Sequence, residues 1–287
     1  MGFKEEYAKF TQPSNEREQY VLKVIKSLPR EQIVRSMKPI TVTRPDGAKL
    51  TYKVMPDYVM IEGMRVPMSG ATAQKVADHF GLSLPNAMIA KEIYQNADVK
   101  VSAKPLSGSG TTVGDKKYTG KDVVTTGVGY APFALTYNDK INQQLSEKGV
   151  KDDQIVSGFA KDIIAPVKPG QLGLYGLFDS KGNPIQGGTG STPHDTSIHT
   201  EYGSFVRLIS PDVTITYPDG KEEKKSINDV YHLNRYNPTQ PGQAPKAAPM
   251  TGNKATQVAT FTPGKPQSGR LQLLQRIDEI LNKFPTV

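Results

Sequence analysis

Two of the four histidines, His194 and His199, fall inside one stretch, STPHDTSIHTEYGSFVRLIS (191–210), with Asp195 between them and Glu201 just after. An imidazole beside a carboxylate is a common arrangement for proton transfer, so this stretch predicts general acid/base chemistry. Ser197 and Ser204 offer hydroxyls, but no G-x-S-x-G nucleophile elbow surrounds either. His194 and His199 are five apart and share neither a helical nor a strand face, unlike the H-E-x-x-H zinc pattern. A loop would have to bring His194, Asp195 and His199 together to hold a metal. No metal or other cofactor is expected. The competing reading is a surface loop with two solvated imidazoles. The remaining histidines, His79 and His232, read as structural.

The element that must position this chemistry reads as a strand over 199–209. Alternation would then put His199, Glu201, Gly203, Phe205, Arg207 and Ile209 on one face, and Thr200, Tyr202, Ser204, Val206 and Leu208 on the other. His199 and Glu201 would lie about 7 Å apart, and Arg207 roughly 26 Å from His199 along a straight strand. Gly203 is the candidate bulge that could shorten this distance.

The rest of the chain supplies an α+β frame, mainly antiparallel sheet with flanking helices. ITVTRPDGAKLTYKV (40–54) and VTITYPDGKEEKKSI (213–227) are near-repeats, each a hairpin around Pro-Asp-Gly. Residues 14–37 read as two helices broken at Pro29, with Ser14 or Asn15 as cap and Tyr20, Val21, Val24, Ile25 and Leu28 on one face. A strand pair is expected around Gly63, and a helix over 72–81 from Ser69 to Gly81. Another helix follows Asn86, with Met88, Ile89 and Ile93 inward. Residues 107–120 read as a Gly/Ser/Thr/Lys loop, 138–149 as a helix, 152–164 as helix or strand, and 171–178 as a strand. One domain is expected over 1–236. A Pro-rich tether follows over 237–269, then a helix over 270–287 whose Leu271, Leu274, Ile277, Leu281 and Phe284 form an apolar stripe suited to a protein partner or to the chain's own domain.

Composition narrows the chemistry. Cysteine is absent, which excludes cysteine nucleophiles, disulfides, thiolate zinc sites and iron–sulfur clusters. Tryptophan is also absent, so ring stacking on a carbohydrate falls to tyrosine. The net charge of +8 favours polyanions or acidic partners. It is spread without an Arg/Lys stripe, which argues against specific nucleic-acid binding. No apolar run approaches a membrane span and no signal pattern opens the chain, so a soluble protein is expected, in a compartment the sequence leaves open.

Three segments resemble a family of uncharacterised bacterial proteins: residues 55–97, 160–186 and 194–210, together about the middle half of the chain. In that family the third segment commonly reads as an acidic residue followed by Tyr-Ser-His-Gly-Val-Arg-Leu-Val. Tyr202, Val206, Arg207 and Leu208 match it here. The second typically carries His-Lys-Lys-Asp, of which Lys161 and Asp162 remain. The family's histidines fall here at Ser204 and near Phe159. The resemblance adds weight to Asp57, Tyr58, Lys161, Asp162, Tyr202 and Arg207, and implies no particular reaction.

The leading expectation is a hydrolase of cell-wall polymer or peptide bonds. His194 or His199 would be the base, Asp195 or Glu201 its orienter, and Arg207 or Lys161 the oxyanion stabiliser. The alternative is a non-catalytic structural or binding component of a virion or cell envelope, using the C-terminal tether.

Overall fold

A computed structural model of the protein describes residues 2–10, 14–104, 106, 109–113, 116–119, 131–166, 172–187 and 200–236. All fall in the first of two units into which the chain divides, Met1–Lys246. The tether and the apolar helix expected over 237–287 lie outside the described residues.

The chain opens with α1 (Phe3–Ala8), α2 (Asn15–Lys26) and α3 (Arg30–Ser36). Ser14 caps α2, its hydroxyl accepting the Arg17 amide (3.1 Å), and Pro29 separates α2 from α3. Hairpin β1 (Lys38–Thr43) and β2 (Lys49–Val54) follows, then the short pair β3 (Met60–Ile61) and β4 (Met64–Arg65) around Gly63. Helix α4 (Gly70–Phe80) is capped by Ser69, which accepts the Thr72 amide (3.2 Å), and stops at Gly81, whose φ of +64° favours glycine. Asn86 caps α5 (Ala87–Asn96). Ile89 and Ile93 are buried as expected, but Met88 is exposed, because the inward face of α5 runs through Ile89, Ala90 and Ile93.

Beyond α5 come β5 (Val99–Lys100), β6 (Ser109–Val113) and β7 (Lys116–Thr119), and α6 (Ala131–Glu147), which begins seven residues earlier than expected. β6 and β7 pair antiparallel, so the segment read as a loop contains a hairpin. The ambiguous 152–164 run is extended, as β8 (Val156–Ser157) and β9 (Lys161–Ile164). The chain continues through β10 (Gly173–Phe178), β11 (Pro184–Gly187), β12 (Ser204–Phe205), β13 (Asp212–Thr216), β14 (Glu222–Ser226) and α7 (Ile227–Tyr231).

The fold is α+β. The two Pro-Asp-Gly hairpins join through β2 and β13 into one four-stranded antiparallel sheet, β1-β2-β13-β14, with Thr214 opposite Thr51 and Thr216 opposite Lys49. Its inner face packs Ile40, Leu50, Tyr52, Val213 and Ile215 against Ile89 and Ile93 of α5. The second sheet is mixed, β11-β10-β9-β12, with β12 parallel to β9. β9 is central in it and carries Lys161 and Asp162. Gly176, with φ +127°, lies opposite Lys161, where an added Cβ would strike the Ala160 carbonyl. No described helix is long and apolar enough to cross a membrane.

Two further polar networks are buried in this frame. Tyr52 and Tyr231 both donate to Glu92 Oε2 (2.7 and 2.8 Å), and Arg44 pairs with the same carboxylate from its other side (3.3 Å). Arg17 pairs with Glu18 and donates to the Tyr7 hydroxyl (2.6 Å) and the Pro67 carbonyl (2.7 Å), while Glu18 accepts the Ser69 amide (2.9 Å).

Candidate functional site

The strand expected over 199–209 is broken up. The chain turns at Glu201–Gly203, with the Ser204 amide donating back to the Glu201 carbonyl (3.0 Å), and only Ser204–Phe205 pairs with β9. Beyond it the main chain runs between other partners. Val59 donates to the Val206 carbonyl (2.9 Å), Met55 to that of Leu208 (3.0 Å), and Ser83 and Ile209 exchange both bonds. Ser204 to Ile209 are consequently buried without alternation, because neighbours cover both faces.

Arg207 lies in the middle of this run, fully enclosed. Its Nη1 donates to the carbonyls of Met55 (2.6 Å) and Pro56 (2.8 Å), and its Nη2 to that of Val156 (2.6 Å). The guanidinium carbon stands 4.3 Å from the centre of the Tyr58 ring. Met55 and Pro56 lie in irregular chain and Val156 at the start of β8; the Pro56 carbonyl also accepts the Val156 amide (3.0 Å), and the guanidinium supplies several donors in one plane to all three.

Across the sheet Tyr175, Asp162 and Phe205 stand abreast on β10, β9 and β12. Asp162 is buried beside the Tyr58 phenol and the Arg207 guanidinium. Burial pushes the Asp162 carboxyl up to about 6, against the opposing pull of the Arg207 charge and the neighbouring Tyr58 phenol. The Tyr58 phenol is raised well above its ordinary value, by burial first and then by the Asp162 charge. Among the described residues Asp162 Oδ1 has no hydrogen-bond partner. Phe159 and Phe205 flank Tyr58, each ring centre 5.6 Å away. A carboxyl that titrates near neutrality with one oxygen unpaired is the feature expected of a proton-transfer group.

Lys161 and Ser204, also abreast, lie on the opposite face from Asp162, since successive strand residues alternate. Lys161 pairs with Glu201, both side chains about one-fifth exposed. Ser204 Oγ and the buried Thr200 Oγ1 have no partner among the described residues. Tyr202 accepts the Leu106 amide (3.1 Å) and sets its ring edge-on to Tyr137, 5.2 Å between centres, which makes it part of the core around α6.

The candidates therefore divide. Asp162 and Arg207 meet at Tyr58, Lys161 and Glu201 form a pair on the other face, and Tyr202 packs. His194, Asp195 and His199 lie outside the described residues. The chain leaves the described region at Gly187, opposite Tyr175, and re-enters at Thr200, next to the residue that pairs with Lys161.

The sequence reading missed Arg65. Its Nε and Nη2 grip the Asp57 carboxylate, and its Nη1 donates to Asn142 Oδ1 (2.7 Å) and Asn138 Oδ1 (3.3 Å). Its guanidinium carbon is 5.2 Å from the Phe159 ring centre. A cation inside an apolar run was the available signal: Arg65 in MRVPM, like Arg207 in FVRLI, must find buried partners. Asp57, Arg65 and Asn142 line a cavity of about 620 Å³, whose other walls include Tyr58, Met55, Pro56 and Val156. Tyr58 thus belongs to both the cavity and the Asp162 cluster. Among the described residues no group of three His, Asp or Glu side chains could hold a metal ion.

No family model matches the chain, and neither a curated protein nor a solved structure matches it.

Proposed function

We propose that the protein is a hydrolase acting on cell-wall polymer or peptide bonds, with Asp162 as its proton-transfer group. The observation that carries this reading is the Asp162 carboxyl, raised to about 6 by burial, whose Oδ1 has no partner among the described residues. As base, the ionised carboxylate takes a proton from water as the water oxygen bonds to the electrophilic carbon. As acid, it returns that proton to the leaving nitrogen or oxygen. Tyr58 links this carboxyl to the cavity wall. Arg207, whose Nη groups are committed to main-chain carbonyls, is a positioning residue that keeps Tyr58 and Asp162 in register. Lys161, paired with Glu201 on the opposite face of β9, takes no part at the bond on which Asp162 acts. His194 and His199, with Asp195 between them, stay proposed acid/base groups on the sequence pattern alone.

The test is product release from purified peptidoglycan sacculi and from a peptide library, read by mass spectrometry. Turnover should fall about a thousandfold or more in Asp162→Asn, and kcat/KM of the wild type should rise with pH through about 6, where the carboxylate ionises. Undiminished turnover in Asp162→Asn would remove the assignment.

A second reading, a non-catalytic component of a virion or cell envelope, is favoured by the full enclosure of Arg207, which fits a residue that stabilises the fold. Under it, removing residues 237–287 abolishes joining of the larger assembly and Asp162→Asn changes nothing but stability.

A further inference from the structure

We propose that the cavity between α3, residues 55–65 and the α6–β8 connection is a binding site for a neutral peptide segment bearing an apolar side chain. The fate of that peptide rests on the hydrolase reading; its binding rests on the cavity alone.

Size is the first argument. About 620 Å³ lies in the range of small-ligand sites and holds a few residues of peptide.

Charge is the second. The ionisable lining residues are Asp57, Arg65, Lys151 and Asp152, two of each sign. Asp57 and Arg65 neutralise each other by a two-pronged contact. A chain of net charge +8 thus carries here a cavity with no net charge, which gives no preference to phosphate polymers or other polyanions.

The third is donor and acceptor placement. Arg65 binds Asn142 through its Oδ1, so the Asn142 amide nitrogen remains to donate. The Asp57 carboxylate, 18% exposed, takes the Tyr58 amide and Arg65 Nε on Oδ1 and Arg65 Nη2 on Oδ2, which leaves one lone pair on Oδ2 to accept. One guanidinium holds both side chains, setting donor and acceptor side by side, as the C=O and N–H edge of a peptide requires. Ile33, Met55, Leu145 and Val156 supply the apolar wall for a side chain.

Sugar is the weaker occupant. Tyr58 is the single aromatic residue of the described lining. Arg207 covers one face of its ring, and Phe159 and Phe205 crowd it. No open ring remains for stacking.

The experiment is a ¹⁵N NMR titration of the full chain with N-acetyl-Ala-Leu-Ala amide, with the N-acetylglucosamine tetramer and with glycerol phosphate. The capped peptide should shift the amides of Gly63, Asn142 and Gln154 and leave the Lys221–Lys225 amides of the distant hairpin unmoved. Asn142→Ala should weaken binding about tenfold, and Ser146→Arg, a change at an exposed lining residue, should block it. The proposal falls if the peptide produces no shifts, if they lie elsewhere, or if the sugar or phosphate is bound in its place. Peptide binding retained in Asp162→Asn, with no turnover by any form, would overturn the hydrolase and leave this site standing. Turnover without peptide shifts would do the reverse.

Discussion

Arg207 sits over the Tyr58 ring, its guanidinium carbon 4.3 Å from the ring centre, while its nitrogens donate to three main-chain carbonyls. The pair ties residues 55–58 to β8 and to the chain beyond β12. Replacing Arg207 with Met strips the Met55 and Val156 carbonyls of this donor and removes the charge that opposes the rise of the Asp162 pKa. The expected cost is about 3–5 kcal/mol of folding free energy, read by urea denaturation. Arg207→Lys should recover only part of it, because an ammonium cannot match the planar fork.

Asp162 makes stability depend on pH in an unusual direction. Its folded pKa, about 6, lies above its unfolded value near 4. Between those limits the native state binds more protons than the unfolded chain, so stability falls as pH rises from about 4 to about 6. The loss should approach 3 kcal/mol, an upper bound. Denaturation midpoints at pH 4 and 7 should show this trend in the wild type and lose it in Asp162→Asn.

Glu92 Oε2 takes two phenols. Burial raises both phenol pKa values, which keeps Tyr52 and Tyr231 protonated as donors. Tyr52→Phe or Tyr231→Phe leaves the oxygen one donor, so each single change should cost about 1.5 kcal/mol. The double change leaves Oε2 without a phenol donor and should cost more than the sum. A double-mutant cycle by chemical denaturation measures the excess.

Tyr236 closes the described chain. Its hydroxyl accepts the Gly173 amide and donates to the Ile164 carbonyl, both at 2.8 Å, and its ring lies where a Cβ on Gly70 would come within 2.7 Å. A chain ending at Tyr236 should unfold cooperatively with nearly wild-type stability. One ending at Arg235 should lose about 3–5 kcal/mol, and Tyr236→Phe about 1–3 kcal/mol. Thermal unfolding of the three distinguishes these outcomes.

What the sequence disclosed was mostly local. Ser14, Ser69 and Asn86 announced helix starts because a cap bonds within three residues, and Pro-Asp-Gly announced hairpins because the turn is self-contained. That β2 would pair with β13 was not legible, since nothing near Thr51 specifies Thr214. The 199–209 run misled because its alternation suggested one covered face, whereas residues 55–59 and 83 cover what the pattern left open. At the site, Asp57, Tyr58, Asp162 and Arg207 were singled out by resemblance, but their partition about Tyr58, away from Lys161 and Glu201, depends on which strand faces which. Arg65 escaped notice because two of its three side-chain partners, Asn138 and Asn142, come from a helix more than seventy residues on, and only Asp57 is near in sequence.

The junction of β2 with β13 also bears on how the chain is made. Some 160 residues separate the two hairpins, so during synthesis the first emerges long before its neighbour exists. Until β13 arrives, the hydrogen-bonding groups along the outer side of β2 face water, and Leu50 and Tyr52 lack half their cover. That layer is assembled late, by closure of a very long loop, a step that is slow and leaves a sticky edge open meanwhile. Lysines at 49 and 53 on that strand are placed to keep such an edge from finding the wrong partner.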